Sequence, residues 1–315
     1  MTTSSPRIAS STVQQLALLS IPGYTIRADF KGGELSSDFG ATILSGVDRK
    51  IGIINRLTAA IRDSRDSRYT THSVSDLLKQ RVFQIASGYA SGNDANALRH
   101  DPMFKLAAGR APLDSDNPLA SGATHSRFEG SLNRKDIYRM ARALVMQYIA
   151  SYSQVPDYIT LDLDHTADET HGQQELSFYN HHYGCYCYLP LLVFDANDGE
   201  LVTAVLRPGK RPTGAENAMI MKRVFRLLRQ YWPETHITLR GDGHFSNPEL
   251  MRLVTEDGNA DFIFGLPGNS LLYSKAEPLM KNARGHLKMH RSLGEQKLGP
   301  KVQSVRMFGE FEYAA

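Results

Sequence analysis

The segments YITLDLDHTAD (residues 158–168) and HITLRGDGHFS (residues 236–246) decide the fold of this chain. Each is a β-like apolar run that ends on a carboxylate. In the first segment, apolar residues alternate with polar ones, so Asp162 and Asp164 share one strand face. Asp242 ends the second run. Such pairs suit a divalent cation, because Mg²⁺ is bound through one or two carboxylates and substrate phosphates.

The residues between and after these segments predict the remaining elements of one α/β domain. A hairpin is expected from GCYCYLPLLVFDAND (184–198) and ELVTAVLRPG (200–209). Thr213 and Glu216 have capping-box spacing at the start of an amphipathic helix with basic residues outward. A short helix (246–257) and a fifth strand (261–267) follow the second segment. Three antiparallel strands, helix, strand, helix and strand is the order of a ribonuclease H-like mixed sheet with flanking helices.

Composition places few limits on function. With 315 residues and 41% hydrophobic content, the chain can form one large domain with appendages, or two domains. We expect a cytoplasmic protein without membrane association, because the N-terminus has no signal-peptide pattern and no apolar run reaches roughly 18 residues. Cys185 and Cys187 are two residues apart in a strand-like stretch, which predicts reduced structural thiols.

Charge is unevenly distributed along the chain. Residues 1–150 have a net charge of +6, residues 151–264 of −7 and residues 265–315 of +4. An enzyme acting on a polyanion needs cationic surface for phosphates and a local group of carboxylates for metal. The division is consistent with that need, although an ordinary solvated surface could show the same difference.

Several segments, taken in order, resemble one known family. They are GYASGNDANALRHDPMFKLAAGR (88–110), LDLDHTAD (161–168), the residues 171–209, LRGDGHFSNPEL (239–250) and FIFGLPGN (262–269). Together they are similar to the DDE transposases of bacterial insertion sequences, in the group-one branch, over roughly residues 70 to 315. The resemblance implies an enzyme that binds terminal inverted repeats and target DNA as a homodimer. It implies DNA strand cleavage and transfer with Mg²⁺, for which Mn²⁺ can substitute, and a nucleoid-associated location.

The resemblance also implies the metal ligands, which in this family are two aspartates and one glutamate. Asp164 matches the first aspartate, because Thr166 stands at the second place after it as the family pattern requires. Asp162 lies on the same strand face and is a further candidate ligand. Asp242 matches the second aspartate. We therefore predict that Asp164 and Asp242 are catalytic.

The family's glutamate is expected on a later helix, after a β-rich insertion. Residues 265–315 are interpreted as the start of that insertion, because KVQSVRMFGEFEYAA (301–315) alternates like a strand. The catalytic role is not assigned to Glu310 or Glu312. The expectation is a C-terminally truncated transposase that lacks its closing helix and has impaired or no cleavage activity. The alternative is a non-catalytic DNA-binding remnant, or an inhibitor of a full-length transposase.

Residues 1–150 are predicted to be a mainly helical DNA-binding region, followed by the catalytic core at 151–264. Basic residues on helical segments could contact phosphates, or could be solvated charges on packing helices. They are Lys79, Arg81, Arg99, Lys105, Arg134, Lys135, Arg139 and Arg142. The stretch between these segments, residues 109–131, is predicted to be a loop.

Histidines offer a different chemistry. His165, His171, His181 and His182 lie near Asp164 in sequence and could form a mononuclear metallohydrolase site. Their spacing matches no helical histidine pair. The simpler interpretation is a strand or turn with exposed imidazoles, so the metallohydrolase remains a second alternative to the transposase.

Overall fold

A computed structural model describes residues 38–295 and 302–313, together with two short strands, β1 (Leu16–Ala17) and β2 (Arg27–Ala28), which pair antiparallel. The rest of residues 1–37, and with it the first part of the predicted DNA-binding region, lies outside this description. Helices dominate up to residue 151, as predicted. They are α1 (Gly40–Ile51), α2 (Ile53–Ala60), α3 (Val74–Ala86), α4 (Asp94–Leu98), α5 (Pro102–Ala107), α6 (Gly122–Ser131) and α7 (Arg134–Ser151), with a 3₁₀ turn at Ser67–Tyr69.

The predicted loop at 109–131 is wrong over its second half, which forms α6. Ser121 begins this helix, because its side chain accepts a hydrogen bond from the Thr124 backbone N–H. Phe128, one helical turn further on, is buried among apolar residues of α2 and α3. The Gly, Ser and Thr content that indicated a loop is therefore outweighed by one capping residue and one buried aromatic side chain.

The region predicted to be the catalytic core is built on a five-stranded mixed sheet. Its elements are β3 (Tyr158–His165), β4 (Asp168–Glu169), β5 (Phe178–Asn180), β6 (Cys185–Tyr188), β7 (Leu191–Asp195), β8 (Leu201–Val205), α8 (Gly214–Tyr231), β9 (His236–Gly241), α9 (Pro248–Asp257) and β10 (Ala260–Phe264). The sheet order is β10-β9-β3-β7-β8. Strand β7 pairs antiparallel with both β3 and β8, whereas β9 is parallel to β3 and β10 is parallel to β9. This is the ribonuclease H-like order, so the predicted fold is confirmed.

One predicted strand is two strands in different sheets. The run at 184–198 breaks at Pro190, which has no N–H to donate to a strand ladder. Strand β6 lies between β4 and β5 in a small three-stranded sheet, and only β7 continues into the main sheet. Cys187 on β6 is buried and Cys185 is half-buried, and both thiols are free, as expected. The predicted hairpin is therefore formed by β7 and β8 alone.

The main core lies on one face of the sheet. Ile159, Leu161 and Leu163 of β3 are buried there against apolar residues of α8. Helix α8 begins with the predicted capping box between Thr213 and Glu216. Val224, Leu227 and Leu228 of its apolar face are buried, whereas Tyr231 at its end is exposed. Alternation in β3 thus buries its apolar residues and leaves its aspartates on the opposite face.

The predicted start of a β-rich insertion is not observed where the chain is described. Residues after β10 form the long helix α10 (Ser270–Glu295), and residues 302–313 contain no strand. Asn269 caps the helix by accepting a hydrogen bond from the Leu272 N–H at 2.9 Å. Apolar residues recur at helical spacing along α10, and residues 302–313 lie against that side. Residues 302–313 alternate like a strand in sequence but pair with no other strand among the described residues.

Candidate active site

Strand register places Asp164 and Asp242 next to each other. Strands β3 and β9 are parallel, and Leu163 on β3 pairs with Gly241 on β9. The next residue on each strand is an aspartate. Both aspartates line one open cavity of about 570 Å³ at this edge of the sheet. The structure therefore brings together the two residues that the sequence separates by a hairpin and a helix.

Both carboxylates are available to a ligand. Asp164 is exposed and has no hydrogen-bond or ion-pair partner among the residues that the structure describes. Asp242 is also exposed, and its Oδ1 accepts a hydrogen bond from the His244 backbone N–H at 2.9 Å. Its Oδ2 lies 3.5 Å from Nδ1 of the His244 side chain, so both contacts of Asp242 are with His244 and hold it in place. Two carboxylates with open water-facing positions are the hard oxygen ligands that Mg²⁺ prefers.

Asp162 has a different environment from its neighbour on the strand. Its two oxygens accept hydrogen bonds from Nε and Nη2 of Arg240, at 2.5 and 2.6 Å. The pair follows from the register, because Asp162 and Arg240 are directly opposite on β3 and β9. This contact raises the pKa of the Arg240 guanidinium. A bidentate ion pair occupies both oxygens of Asp162, which makes it a poorer metal ligand than Asp164.

Tyr183 lies beside the two aspartates and was not predicted from the sequence. Burial, together with the negative charges of Asp164 and Asp242, raises the pKa of its hydroxyl. That hydroxyl donates a hydrogen bond to the His165 backbone oxygen at 3.2 Å. Tyr183 follows β5 in a turn of the small sheet, and only the folded position of that sheet brings it here. Its sequence context, NHHYG, indicates nothing beyond a turn.

A group of buried polar side chains lies beneath the site. His165 stacks on Phe245 with ring centroids 4.8 Å apart. Burial, reinforced by the positive charge of Arg207, lowers the pKa of His165 to about 4, so the imidazole is neutral near pH 7. Arg207 is also buried and forms an ion pair with Glu216 at 3.0 Å. His165 is therefore one of the buried side chains that support the strand end carrying Asp164.

The four histidines proposed for a metallohydrolase do not gather into a site. His165 is buried, whereas His171, His181 and His182 are exposed. Within the described residues, no group of three or more His, Cys, Asp or Glu side chains has the arrangement of a metal site. Asp164 and Asp242 are likewise a pair, without a third such side chain arranged to complete a metal site in the described part of the chain.

The residues predicted to contact DNA fall into two groups. Three arginines make internal contacts: Arg81 with Glu129 at 3.2 Å, Arg99 with the Leu119 oxygen at 3.4 Å, and Arg139 with the Ala60 oxygen at 2.6 Å. Lys105 is buried and donates to the Asp114 backbone oxygen. These four side chains join helices and loops of the N-terminal region. The sequence left two interpretations open for these residues, a phosphate contact or a charge on a packing helix. The observed contacts match the second.

The second group faces solvent. Arg134, Lys135 and Arg142 on α7 are exposed, and Lys79 on α3 is half-buried. Arg134 and Arg142 line a cavity of about 580 Å³ between α7, α8 and β8. Arg223 of α8 lies on the same cavity, with its guanidinium over the Tyr138 ring at 5.6 Å. These cations remain free to meet an anionic partner.

The strand order and the two adjacent aspartates define a ribonuclease H-like protein of the DDE class. The chain belongs to the family described as transposase DDE domain, group 1, whose model matches residues 20–315. The family predicted from sequence is confirmed. No curated protein is detectably similar to the chain in sequence.

Solved structures of similar fold include transposases and a retroviral intasome. A piggyBac transposase synaptic complex with hairpin DNA is 13% identical, with a TM-score of 0.36 over 75% of this chain and 52% of that chain. A Mos1 transposase paired-end complex is 13% identical, with a TM-score of 0.24 over 67% and 62%. A simian T-cell lymphotropic virus intasome is 11% identical, with a TM-score of 0.26 over 66% and 62%. The chain spans about half the length of the piggyBac transposase. At these TM-scores, the fold assignment rests on the strand order of the chain itself.

In the part of the chain that is described, no helix is long and apolar enough to cross a membrane. The N-terminal stretch that was used to predict a cytoplasmic location lies outside the described residues.

Proposed function

We propose that this protein is an insertion-sequence transposase that binds the terminal inverted repeats of its element and catalyses metal-dependent DNA strand cleavage and transfer. The observation that carries the proposal is the β3–β9 register, which sets Asp164 and Asp242 side by side in one open cavity. Membership of the DDE transposase family supplies the reaction class. The target DNA and a homodimer that holds two element ends belong to the same proposal.

Asp164 and Asp242 would hold the divalent cation, with Mg²⁺ as the expected ion and Mn²⁺ as its substitute. When bound, such an ion polarises the scissile phosphodiester and lowers the pKa of an attacking water or hydroxyl. The free carboxylate of Asp164 and the exposed carboxylate of Asp242 suit this role. Asp162 keeps Arg240 at the rim of the cavity, where its guanidinium can meet a DNA phosphate.

Tyr183 has a positioning role in this proposal. Its hydroxyl stays protonated near neutral pH, because its pKa is raised, and it fixes the end of β3 through the His165 backbone oxygen. The end of β3 carries Asp164. Phosphate contacts outside the cavity are assigned to the exposed cations Arg134 and Lys135, with Lys79 as a further candidate. Such contacts position DNA without reading its sequence.

Strand cleavage tests the proposal. The full chain is mixed with duplexes that end in the inverted repeats of its element, in Mg²⁺ or Mn²⁺. We expect nicking at the element end, a loss of at least about 1000-fold in Asp164→Asn and in Asp242→Asn, and unchanged DNA binding in both variants. Asp168→Asn is the matched control, because Asp168 is an exposed acid outside the cavity.

Three results would reject the proposal. Equal cleavage by the two aspartate variants and the wild type would remove Asp164 and Asp242 from the site. Binding to the repeats without cleavage, even in Mn²⁺, would favour the alternative of a non-catalytic DNA-binding protein. Activity that depends on His181 or His182 together with copurified zinc would instead favour a metallohydrolase.

A further inference from the structure

Helix α10 carries four cations on one face. Lys281, Arg284, Lys288 and Arg291 are separated by three, four and three residues. In an α-helix this spacing puts them on a single stripe, and ten residues of helix extend about 15 Å. We call these four residues the α10 stripe. The DNA contacts predicted from the sequence lie in the N-terminal region. The α10 stripe is a separate surface that was not among them.

Little negative charge opposes the stripe within the described residues. All four side chains belong to exposed residues. Arg284 approaches Glu277 at 3.6 Å, but both side chains are more than 60% exposed, and such a surface pair contributes little. Lys281 and Lys288 have no acidic partner in the described part of the chain. The stripe is therefore a concentrated and uncompensated positive surface.

The rotation of α10 is fixed by contacts on its other side. Leu279 lies against Gly309, so close that a Cβ atom at residue 309 would be 2.8 Å from its Cδ1. Asn269 donates to the Tyr313 hydroxyl at 2.8 Å, and Lys275 Nζ donates to the Glu312 backbone oxygen at 3.2 Å. Residues 302–313 also contact one stripe residue, because Arg291 Nη2 donates to the Gln303 backbone oxygen at 3.5 Å. All four stripe residues nevertheless remain exposed to solvent. The stripe also borders an open depression of about 470 Å³ lined by Arg284, Lys288 and Arg291.

We propose that the α10 stripe binds the phosphate backbone of duplex DNA. The inference rests on the proposed function and adds a second DNA surface to it. Duplex DNA presents about one negative charge per 1.7 Å of helix axis, so a straight stripe of about 15 Å can meet several phosphates at once. The shape suits a linear polyanion, because the cations form a row rather than a cluster around a pocket. Flexible lysine and arginine side chains can follow either strand without base contacts.

The salt dependence of binding tests this surface. The variant Lys281→Gln/Arg284→Gln/Lys288→Gln/Arg291→Gln removes the stripe. The control Arg211→Gln/Lys222→Gln/Arg226→Gln/Arg252→Gln removes the same number of charges from exposed positions, just before α8 and on α8 and α9, that have no assigned DNA contact. The Kd for a short duplex of arbitrary sequence is measured between about 50 and 200 mM NaCl, where log K falls by about 0.9 per phosphate contact per unit of log salt.

We expect the slope of log K against log salt to be about 3 to 4 smaller in magnitude for the stripe variant than for the wild type. At the lower salt concentration the stripe variant should also bind at least about tenfold more weakly. The control should change the slope by less than about 1. The charge-preserving variant Lys281→Arg/Lys288→Arg should keep the wild-type slope. A stripe variant with the wild-type slope would overturn the proposal, as would equal losses in the stripe variant and the control.

The outcome is separable from that of the proposed function. With saturating protein at low salt, the stripe variant should still cleave DNA in Mn²⁺, whereas Asp164→Asn should keep the wild-type salt slope and lose cleavage. Circular dichroism should show that the stripe variant keeps its helix content, since glutamine is also a good helix former.

Discussion

Asp162 and Asp164 differ by two positions on one strand, and the structure gives them different chemistry. Arg240 is directly opposite Asp162 in the sheet and takes both of its oxygens. Asp164 is one step beyond the paired part of β9, where Asp242 follows Gly241. The same face of β3 therefore presents one carboxylate that is neutralised and one that is free. Substitutions at Asp162 and Asp164 should therefore have different effects.

We expect Asp162→Asn to keep metal-dependent cleavage within about tenfold of the wild type, or about 1.4 kcal/mol in barrier height. The reason is that Asp162 acts on Arg240 and not on the metal. Asp164→Asn, with the same loss of one charge on the same strand face, should lose cleavage. Single-turnover cleavage rates at saturating DNA compare the two variants. If Asp162→Asn loses as much activity as Asp164→Asn, Asp162 is a metal ligand after all.

His125 gives a second prediction at this scale. It is buried on α6, and burial lowers its pKa from 6.5 to about 4. The unfolded chain therefore binds more protons than the folded chain between pH 6.5 and 4, so stability must fall as the pH decreases through that window. The expected loss is roughly 3 kcal/mol from this histidine.

Urea unfolding at several pH values checks the histidine prediction. In His125→Leu, the acid-dependent loss of unfolding free energy should be smaller by roughly that amount, because the leucine cannot be protonated. His165, with a pKa also lowered to about 4, should keep contributing in this variant. An unchanged pH profile in His125→Leu would contradict the prediction.

The sequence predicts site residues where the signal is local. Asp164 and Asp242 became candidates because each ends an apolar run and matches a family aspartate, and the structure places both on one cavity. Arg240 and Tyr183 were missed, because one depends on strand register and the other on the position of a separate small sheet. Arg81, Arg99 and Arg139 were predicted to contact DNA, but charge alone does not show that a backbone oxygen lies within reach.

At the scale of elements, α7 is joined to the sheet through a buried carboxylate. Asp195, at the end of β7, accepts hydrogen bonds from the hydroxyls of Tyr148 at 2.7 Å and Tyr152 at 2.5 Å. Both tyrosines lie at the end of α7 and pack on Trp232. Burial and these contacts raise the pKa of Tyr152 to about 12 and that of Tyr148 further. Both hydroxyls therefore remain donors at neutral pH.

Unfolding experiments can test this junction. Tyr148→Phe should lower the free energy of unfolding by about 1 to 2 kcal/mol, because Tyr152 and the Asn197 N–H still satisfy Asp195. Asp195→Ala should cost more, roughly 3 kcal/mol, because it leaves two buried hydroxyl groups without an acceptor. Urea midpoints at constant m-value give both numbers. Equal small losses in the two variants would show that the carboxylate does not join α7 to the sheet.

Elements were predictable where capping and periodicity agree. Helix α8 has its Thr213–Glu216 capping box and its apolar face, and β3 has its alternation. The predictions failed at Pro190, where one apolar run divides between two sheets, and after β10, where residues 270–295 form α10 in place of the expected β-rich insertion and the alternating residues 302–313 form no strand. In both places the outcome depends on which partner is present in the fold, and a local pattern does not contain that information.

Negative and positive charge are concentrated in different parts of the chain. The core at residues 151–264 carries a net charge of −7 with Asp164 and Asp242 at its open edge, whereas residues 265–315 carry +4, including the α10 stripe. Salt should therefore weaken DNA binding steeply and change the cleavage step of bound DNA much less. We propose DNA binding and catalysis on different elements, so variants should separate the two.

The central claim is that Asp164 and Asp242 act together on one metal-dependent reaction. A double-mutant cycle on Mn²⁺-dependent strand cleavage tests it most directly, with DNA binding measured in parallel. If the claim is correct, Asp164→Asn and Asp242→Asn each abolish cleavage and the double variant is no worse than either, because groups that act as a unit are non-additive. Losses that add in the double variant, or cleavage that survives in either single variant, would contradict it.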